Sequence, residues 1–203
     1  NEKLRLFSQN YALRRLKDDI KLILARTEYE AKYLHEGYGI SNDKIAIVPL
    51  SYRETYHNPS IKKELFCLFV GTMTQPRKNV PRLIEAAKKY HFKLKLVGNK
   101  GNAESERQLR NIIGNSHNIE LLGFVSDEEL SLLYDRAKVF ALPSINEGVG
   151  LVALEAAMHE CNIVITNLGG PKEYYPSGLA QIVDPYNIDN IGNAIIKALS
   201  DNE

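Results

Sequence analysis

The sequence predicts an α/β fold built on a parallel, doubly wound sheet from about residue 59 to the C-terminus. Short apolar runs alternate with helical stretches throughout this part of the chain, and the turns between them are short. Such alternation is typical of parallel strands joined by crossover helices. Ligands bind these sheets beyond the carboxyl ends of the strands, so the loops that follow the strands are the candidate site.

The elements of the sheet follow one another in a regular order. Apolar runs predict strands at 66–71, 93–97, 118–122, 139–142, 162–166 and 180–183. Stretches with helical periodicity predict helices at 80–90, 104–113, 127–137, 150–159 and 188–199. The fold class is therefore a Rossmann-like doubly wound parallel sheet, with candidate ligand loops at 71–79, 98–102, 123–126 and 143–150.

Local signals mark where several of these elements begin and end. Gly71 and Gly98 each follow a strand and predict a turn. Asn79 is the predicted N-cap of the helix that follows it, because an asparagine side chain can accept from free backbone N–H groups. Ser126 and Glu129 have the spacing of a capping box at the start of the third predicted helix.

Residues 1–58 are organised differently, and we predict that they are the tail of a preceding domain plus a linker. Residues 59–203 then form the Rossmann-like domain. The first segment reads as a basic helix with a solvated face, carrying Lys3, Arg5, Arg14, Arg15, Lys17 and Lys21. After it we predict a strand at 22–25, a capping box of Thr27 and Glu30, a helix to about Glu36, a stop at Gly37–Gly39 and a strand at 44–49.

Composition excludes several classes of function. Lys+Arg 26 against Asp+Glu 25 gives a net charge of +1, which disfavours a nucleic-acid-binding surface. Cys67 and Cys161 form no CxxC pair and are expected to be buried thiols of a reducing compartment. The five histidines are scattered, so no metal site is expected. No apolar run approaches the ~18 residues of a membrane span, and we predict a cytoplasmic location.

A glycine-rich loop at the start of a helix is the most informative segment. Gly148 and Gly150 would let backbone N–H groups approach an anion closely, and the helix dipole would add ~0.3–2 kcal/mol. That is too little to hold a diphosphate, so cationic side chains should converge on the loop. Glu155 and Glu147 are placed to accept sugar hydroxyls. The alternative interpretation is a tight turn with two solvated acids.

The same residues carry a resemblance to a known family. Glu147 and Glu155 have seven residues between them, and this spacing resembles the E-x7-E motif of family-4 retaining glycosyltransferases, also described as glycosyl transferases group 1. The similarity covers about residues 20 to 200. It continues in the family's order through Phe69-Val70-Gly71, Pro76-Arg77-Lys78-Asn79, Leu122-Gly123-Phe124-Val125-Ser126, Gly169-Gly170-Pro171-Lys172-Glu173 and Val183-Asp184-Pro185.

The resemblance implies the C-terminal, nucleotide-sugar-binding half of a two-domain GT-B enzyme. Such an enzyme transfers a hexose from a nucleoside diphosphate sugar to a glycan or lipid-linked acceptor and retains the anomeric configuration. The acceptor would lie on a missing N-terminal domain, through which peripheral membrane contact stays open. No cofactor and no metal are implied, and no DxD pair is present in the sequence to hold a metal.

Residue roles follow from the same resemblance. Lys78 and Glu147 would be catalytic, with Lys78 on the donor diphosphate and Glu147 on the donor sugar. Glu155 would bind ribose. The diphosphate would also meet Gly71, Thr72, Arg77, Gly148, Val149, Gly150 and Leu151. The base would lie against Phe124, Val125 and Ser126.

Three positions depart from the family's usual pattern. Thr72 stands where an arginine is frequent, Val149 replaces an aromatic residue, and Glu160 with Asn162 replaces a glycine and a proline, so we expect a different turn there. A nucleotide-sugar epimerase of GT-B architecture and a non-catalytic nucleotide-binding module stay open as alternatives. A dehydrogenase is disfavoured because the glycines at 98–101 are too short a match to GxGxxG.

Overall fold

The computed structural model describes residues 10–51 and 56–201. The chain divides into two compact units, Asn1–Ser51 and Tyr52–Glu203. The division falls somewhat before residue 58, where the linker was predicted to end. His57 and Asn58 belong with the larger unit because Nδ1 of His57 and the backbone N–H of Asn58 both bond to the carboxylate of Asp135.

The smaller unit pairs two short parallel strands. Residues 10–16 are helical (α1), and they are followed by β1 (Ile23–Ala25), α2 (Glu28–Tyr38), a 3-10 turn (Asn42–Lys44) and β2 (Ile45–Ile47). Thr27 caps α2 as predicted, since its side chain accepts from the backbone N–H of Glu30 at 3.0 Å. The predicted stop at Gly37–Gly39 is wrong for Gly37, which lies inside α2, whereas Gly39 ends the helix with φ 69.

The predicted basic helix ends earlier than expected, at residue 16. Arg14 and Arg15 lie in α1, whereas Lys17 and Lys21 follow it in a turn and a bend. Lys3 and Arg5 fall outside the described residues.

Residues 56–201 form a sheet of six parallel strands flanked by helices. The strands are β3 (Glu64–Val70), β4 (Lys93–Val97), β5 (Ile119–Gly123), β6 (Ala137–Leu142), β7 (Asn162–Thr166) and β8 (Ala180–Val183). The helices are α3 (Val80–Tyr90), α4 (Ala103–Ile113), α5 (Asp127–Arg136), α6 (Leu151–Met158) and α7 (Ile188–Ser200), with 3-10 turns at Pro76–Lys78 and Pro171–Tyr174. The strand order is β5-β4-β3-β6-β7-β8, which confirms the doubly wound parallel fold.

The central strands are buried on both faces. Cys67, Leu68 and Phe69 of β3 have no exposed surface, and the same holds for residues 139–142 of β6. Burial on both faces explains why the sequence shows continuous apolar runs and not a polar–apolar alternation. Burial also raises the pKa of the Cys67 thiol and raises that of Cys161 to about 12, so both thiols stay protonated.

Candidate functional site

The strand order reverses between β3 and β6. From β3 the chain winds outward through β4 and β5, then returns to pair β6 against the other side of β3. The loops that follow these two strands, 71–79 and 143–150, therefore open a crevice at the carboxyl end of the sheet. In doubly wound folds this switch point is where ligands bind.

Lys78 and Glu147 form a buried ion pair across this crevice. Nζ of Lys78 lies 2.5 Å from Oε2 of Glu147, and the two residues are only 8% and 9% exposed. The Ser144 hydroxyl donates to the same oxygen at 3.3 Å. Nη1 of Arg77 lies 3.6 Å from the other carboxylate oxygen, with a side chain 46% exposed at the rim. The two cations thus share one carboxylate.

The loop that carries Lys78 is held by Asn79, but not as predicted. Asn79 directly precedes α3, with φ 60 and ψ 27 in the left-handed region. Its side-chain amide donates to the carbonyls of Pro143 at 2.9 Å and Pro185 at 2.7 Å, and its oxygen accepts from Nη1 of Arg82 at 3.0 Å. The predicted side-chain N-cap at Asn79 is therefore wrong, because the oxygen that would accept from the first backbone N–H groups of α3 accepts from Arg82 instead.

A second glycine-rich segment, Gly169-Gly170, contacts the backbone of Glu147. The N–H of Gly170 donates to the Glu147 carbonyl at 3.3 Å. Gly169 has φ 83, and a Cβ there would lie 2.1 Å from the Glu147 carbonyl oxygen. A side chain at residue 169 would therefore displace Glu147.

The start of α6 lies beside the ion pair. Gly150 has φ 76 and precedes Leu151, so the helix begins one residue later than predicted. A Cβ at Gly150 would lie 3.6 Å from Cγ of Glu147. Val149 is buried and can offer an anion only its backbone. Free N–H groups and a partial positive charge accompany a helix N-terminus, which suits an anion beside Lys78.

Gly71 and Thr72 lie at the end of β3, beside the same lysine. A Cβ on Gly71 would lie 3.8 Å from Cε of Lys78. Gly98, which ends β4, lets the backbones approach, because a Cβ there would lie 2.2 Å from the Gly71 carbonyl oxygen. Thr72 is half-buried. The predicted diphosphate-binding residues thus gather around the switch point.

Glu155 lies on α6 and is half-buried. Its carboxylate accepts a hydrogen bond of 3.3 Å from the hydroxyl of Tyr134, a residue that is 1% exposed. Burial raises the pKa of the Tyr134 hydroxyl, which therefore stays a donor. Sequence reasoning missed Tyr134, since it lies on α5 in an ordinary apolar pattern and nothing local marks it.

The predicted base-binding residues follow β5, an edge strand separated from β3 by β4. Phe124 is 79% exposed, whereas Val125 packs against the core. Ser126 caps α5, accepting from the Glu129 N–H at 3.1 Å. An exposed aromatic ring at the carboxyl end of the sheet is free to stack on a flat ligand.

A separate polar cluster lies where the segment before β3 meets α5 and α6. Within the described residues, His57, Asp135 and His159 are the group whose donor atoms come close enough to suggest a metal. Nδ1 of each histidine lies 2.6 Å from the same Asp135 oxygen, Oδ1. Two ligands of one zinc ion, bound at roughly 2.0 Å, would be roughly 3.3 Å apart. The distances therefore fit hydrogen bonds and do not fit a metal centre.

The hydrogen bonds dominate the charge state of Asp135. Burial acts to raise the pKa of this carboxyl, but the bonds from His159, His57 and the Asn58 N–H together hold it below its usual value. Asp135 is therefore an ionised carboxylate that accepts three donors, and the cluster fastens the segment before β3 to the domain.

No helix among the described residues has the length and apolar character needed to cross a membrane. Residues 52–203 match the family described as Glycosyl transferases group 1. The chain is 29% identical over 209 residues to the O-antigen chain mannosyltransferase B of Escherichia coli, covering 91% of this chain and 53% of the relative.

Solved structures share the fold. The sucrose-phosphate synthase of Thermosynechococcus elongatus superposes with a TM-score of 0.78 at 21% identity, covering 93% of this chain and 52% of that one. The Anabaena protein HepE in complex with UDP and glucose gives 0.74 at 18% identity, covering 95% and 58%. The chain thus spans about half the length of these proteins.

Proposed function

The chain belongs to the glycosyl transferases group 1 family, and from this premise we propose that it is the donor-binding half of a family-4 retaining glycosyltransferase. The Lys78–Glu147 pair at the switch point of the sheet carries this proposal. It offers a cation for a diphosphate and a carboxylate for sugar hydroxyls at the place where such folds bind nucleotides.

The donor would be a nucleoside diphosphate hexose. Its diphosphate would meet Lys78, Arg77 and the N-terminus of α6, with charge-assisted hydrogen bonds worth about 1.5–3 kcal/mol each. Its sugar would meet Glu147 and its ribose Glu155. Phe124 would stack on the base, with Val125 and Ser126 shaping the same loop. A hexose agrees with the names of two similar proteins, the mannosyltransferase and HepE with its bound UDP and glucose.

In the proposed reaction the bond between the sugar C1 and the diphosphate oxygen breaks. A new C1–O bond forms to the acceptor hydroxyl on the same face of the sugar, and the acceptor proton passes to the departing phosphate. Charge grows on the leaving diphosphate, where Lys78 and Arg77 would stabilise it. The reaction needs no cofactor.

The acceptor site would come from a further, N-terminal domain, because the chain spans about half the length of its relatives. A glycan or lipid-linked acceptor and peripheral membrane contact would belong to that domain. The proposed compartment is the cytoplasm. We expect this chain alone to bind donor nucleotide without transferring sugar. Turnover by the isolated chain with any acceptor would contradict the proposal that the acceptor site lies on another domain.

Calorimetry with UDP, GDP, ADP and their monophosphates tests the donor site. We expect one diphosphate to bind with about micromolar affinity, or about 8 kcal/mol, and its monophosphate at least about tenfold more weakly. The Lys78→Met variant should lose this preference for the diphosphate. If the chain binds no nucleoside diphosphate, or binds both forms equally, the proposal is wrong.

A further inference from the structure

Asn79 is a buried polar residue whose side chain is fully used in bonding. The residue is 2% exposed, and both hydrogens of its amide are donated, to the carbonyls of Pro143 and Pro185. Its oxygen accepts from Nη1 of Arg82 at 3.0 Å. The Arg82 guanidinium in turn lies 5.4 Å from the centre of the Tyr186 ring.

These bonds join loops from three different strands. Asn79 lies in the loop after β3, Pro143 directly follows β6, and Pro185 follows β8. A backbone bond of 2.7 Å, from the Ile145 N–H to the Arg77 carbonyl, also joins the first two loops. Lys78 lies between Arg77 and Asn79, so both neighbours of the lysine are tied across the crevice.

The residue type at position 79 meets two demands at once. The left-handed backbone conformation favours glycine or asparagine. The two facing carbonyls require a side chain with two N–H donors. Glycine adopts the left-handed conformation but has no side-chain donors. Aspartate has the shape of asparagine but lacks the two N–H donors.

We propose that Asn79 is a positioning residue, whose amide locks the three strand-end loops so that Lys78 meets the donor diphosphate. This rests on the proposed function, since it assigns a cause to the diphosphate preference of that same site. Asn79 acts through Lys78 and does not itself touch the ligand.

Two variants separate the effect of the hydrogen bonds that the Asn79 side-chain amide donates from the effect of its backbone conformation. Asn79→Gly keeps the left-handed turn and removes the bonds, and Asn79→Asp keeps the shape and removes the donors. We expect the ratio of diphosphate to monophosphate affinity, measured by calorimetry, to fall about tenfold in both. The monophosphate affinity should stay unchanged, because base and ribose contacts lie elsewhere.

Asn118 supplies a matched control in the same domain. Its amide also donates to two carbonyls, those of Ala87 at 2.9 Å and Phe92 at 2.7 Å. Asn118 lies just before β5, at the amino ends of the strands and therefore opposite to the crevice. Asn118→Asp should lower the midpoint of thermal unfolding as Asn79→Asp does, but it should keep the wild-type affinity ratio.

The outcomes distinguish this inference from the proposed function. Loss of the ratio in the Asn79 variants, with the ratio kept in Asn118→Asp, supports positioning. If the wild-type chain prefers the diphosphate and Asn79→Gly prefers it equally, the positioning role is wrong and the donor site stands. An equal loss in Asn118→Asp would also contradict it, since stability alone would then explain the effect. A wild-type chain without any preference overturns both.

Discussion

Nζ of Lys78 lies 2.5 Å from Oε2 of Glu147, although the two residues are 69 positions apart in sequence. Each comes from a loop at the switch point, and each neutralises the other in a buried setting. Removing one partner of a buried pair commonly costs about 3–5 kcal/mol, because the other charge is left uncompensated. A donor diphosphate would therefore compete with Glu147 for the ammonium of Lys78.

Replacing Glu147 by glutamine should strengthen the binding of a nucleoside diphosphate that carries no sugar. The diphosphate then no longer competes with a carboxylate for Lys78. We expect its affinity, measured by calorimetry, to rise by about tenfold, or about 1.4 kcal/mol. The variant should unfold at a lower temperature without ligand, and the ligand should restore the loss. Ser144→Ala is the control, since its hydroxyl contacts the same oxygen without charge. Weaker binding by Glu147→Gln would mean that the pair helps to bind the phosphate.

Glu155→Ala should weaken ribonucleotide binding by about tenfold to a hundredfold, the value of a hydrogen bond to a charged group. The same change should leave a 2′,3′-dideoxynucleotide unaffected, because that ligand has no hydroxyls for the carboxylate. Tyr134→Phe removes the hydroxyl that holds Glu155 and should have a smaller effect in the same direction. Calorimetry on the six protein–ligand combinations, the wild type and the two variants with each ligand, checks this. An equal loss for both ligands would place Glu155 away from the ribose.

Phe124→Ala should lower nucleotide affinity by about tenfold, since stacking of a base on an aromatic ring contributes about 1–3 kcal/mol. Because the ring is 79% exposed, its removal should leave the free energy of unfolding unchanged. Leu179→Ala, at another exposed apolar residue of the same unit, is the control for both measurements. Unchanged affinity would exclude Phe124 from the base site.

The elements of the sheet were predictable because their signals are local. Apolar runs gave β4, β7 and β8 their observed bounds, and Ser126 caps α5 as its spacing predicted. The role of Asn79 was not predictable in this way. Its amide bonds to carbonyls 64 and 106 positions away, and its left-handed backbone is visible only in the folded chain.

The site was predictable in part for the same reason. The glycine-rich loop and its glutamate follow a recognisable local pattern, which made Glu147 a candidate, whereas Lys78 became one through the family resemblance of residues 76–79. Their mutual ion pair did not follow from either segment alone. The bonds of Asp135 to His57 and His159 join residues 78 and 24 positions apart, and no spacing rule relates them.

Asp135→Asn should lower the free energy of unfolding at pH 7 by about 1–3 kcal/mol, because buried donors lose a charged acceptor. The folded state holds the Asp135 pKa below its usual value, so the carboxylate contributes stability above the unfolded pKa of about 3.9. That contribution disappears as the pH falls through the folded pKa.

Urea unfolding of the two proteins checks this prediction. The wild-type advantage over Asp135→Asn should narrow as the pH falls below about 4. Asp189→Asn is the control, because its ion pair with Lys89 is exposed and should contribute only about 0–1 kcal/mol. A difference that stays constant down to low pH would mean that Asp135 acts through packing and not through charge.

Glu160 occupies a backbone conformation that glycine favours, with φ 58, at the position where the resembling family usually has glycine. A side chain in this region costs roughly 1–2 kcal/mol. Glu160→Gly removes that cost but makes the unfolded chain more flexible, so we expect a net gain of about 0.5–1 kcal/mol in the free energy of unfolding. Glu160→Ala keeps the strained backbone while removing the carboxylate, which lies 3.8 Å from Nε2 of His57. Glu160→Ala should therefore show no gain in the free energy of unfolding, measured for both variants by chemical denaturation. If the two variants have the same free energy of unfolding, the turn after α6 is not strained. Any difference from the wild type would then come from loss of the Glu160 carboxylate alone.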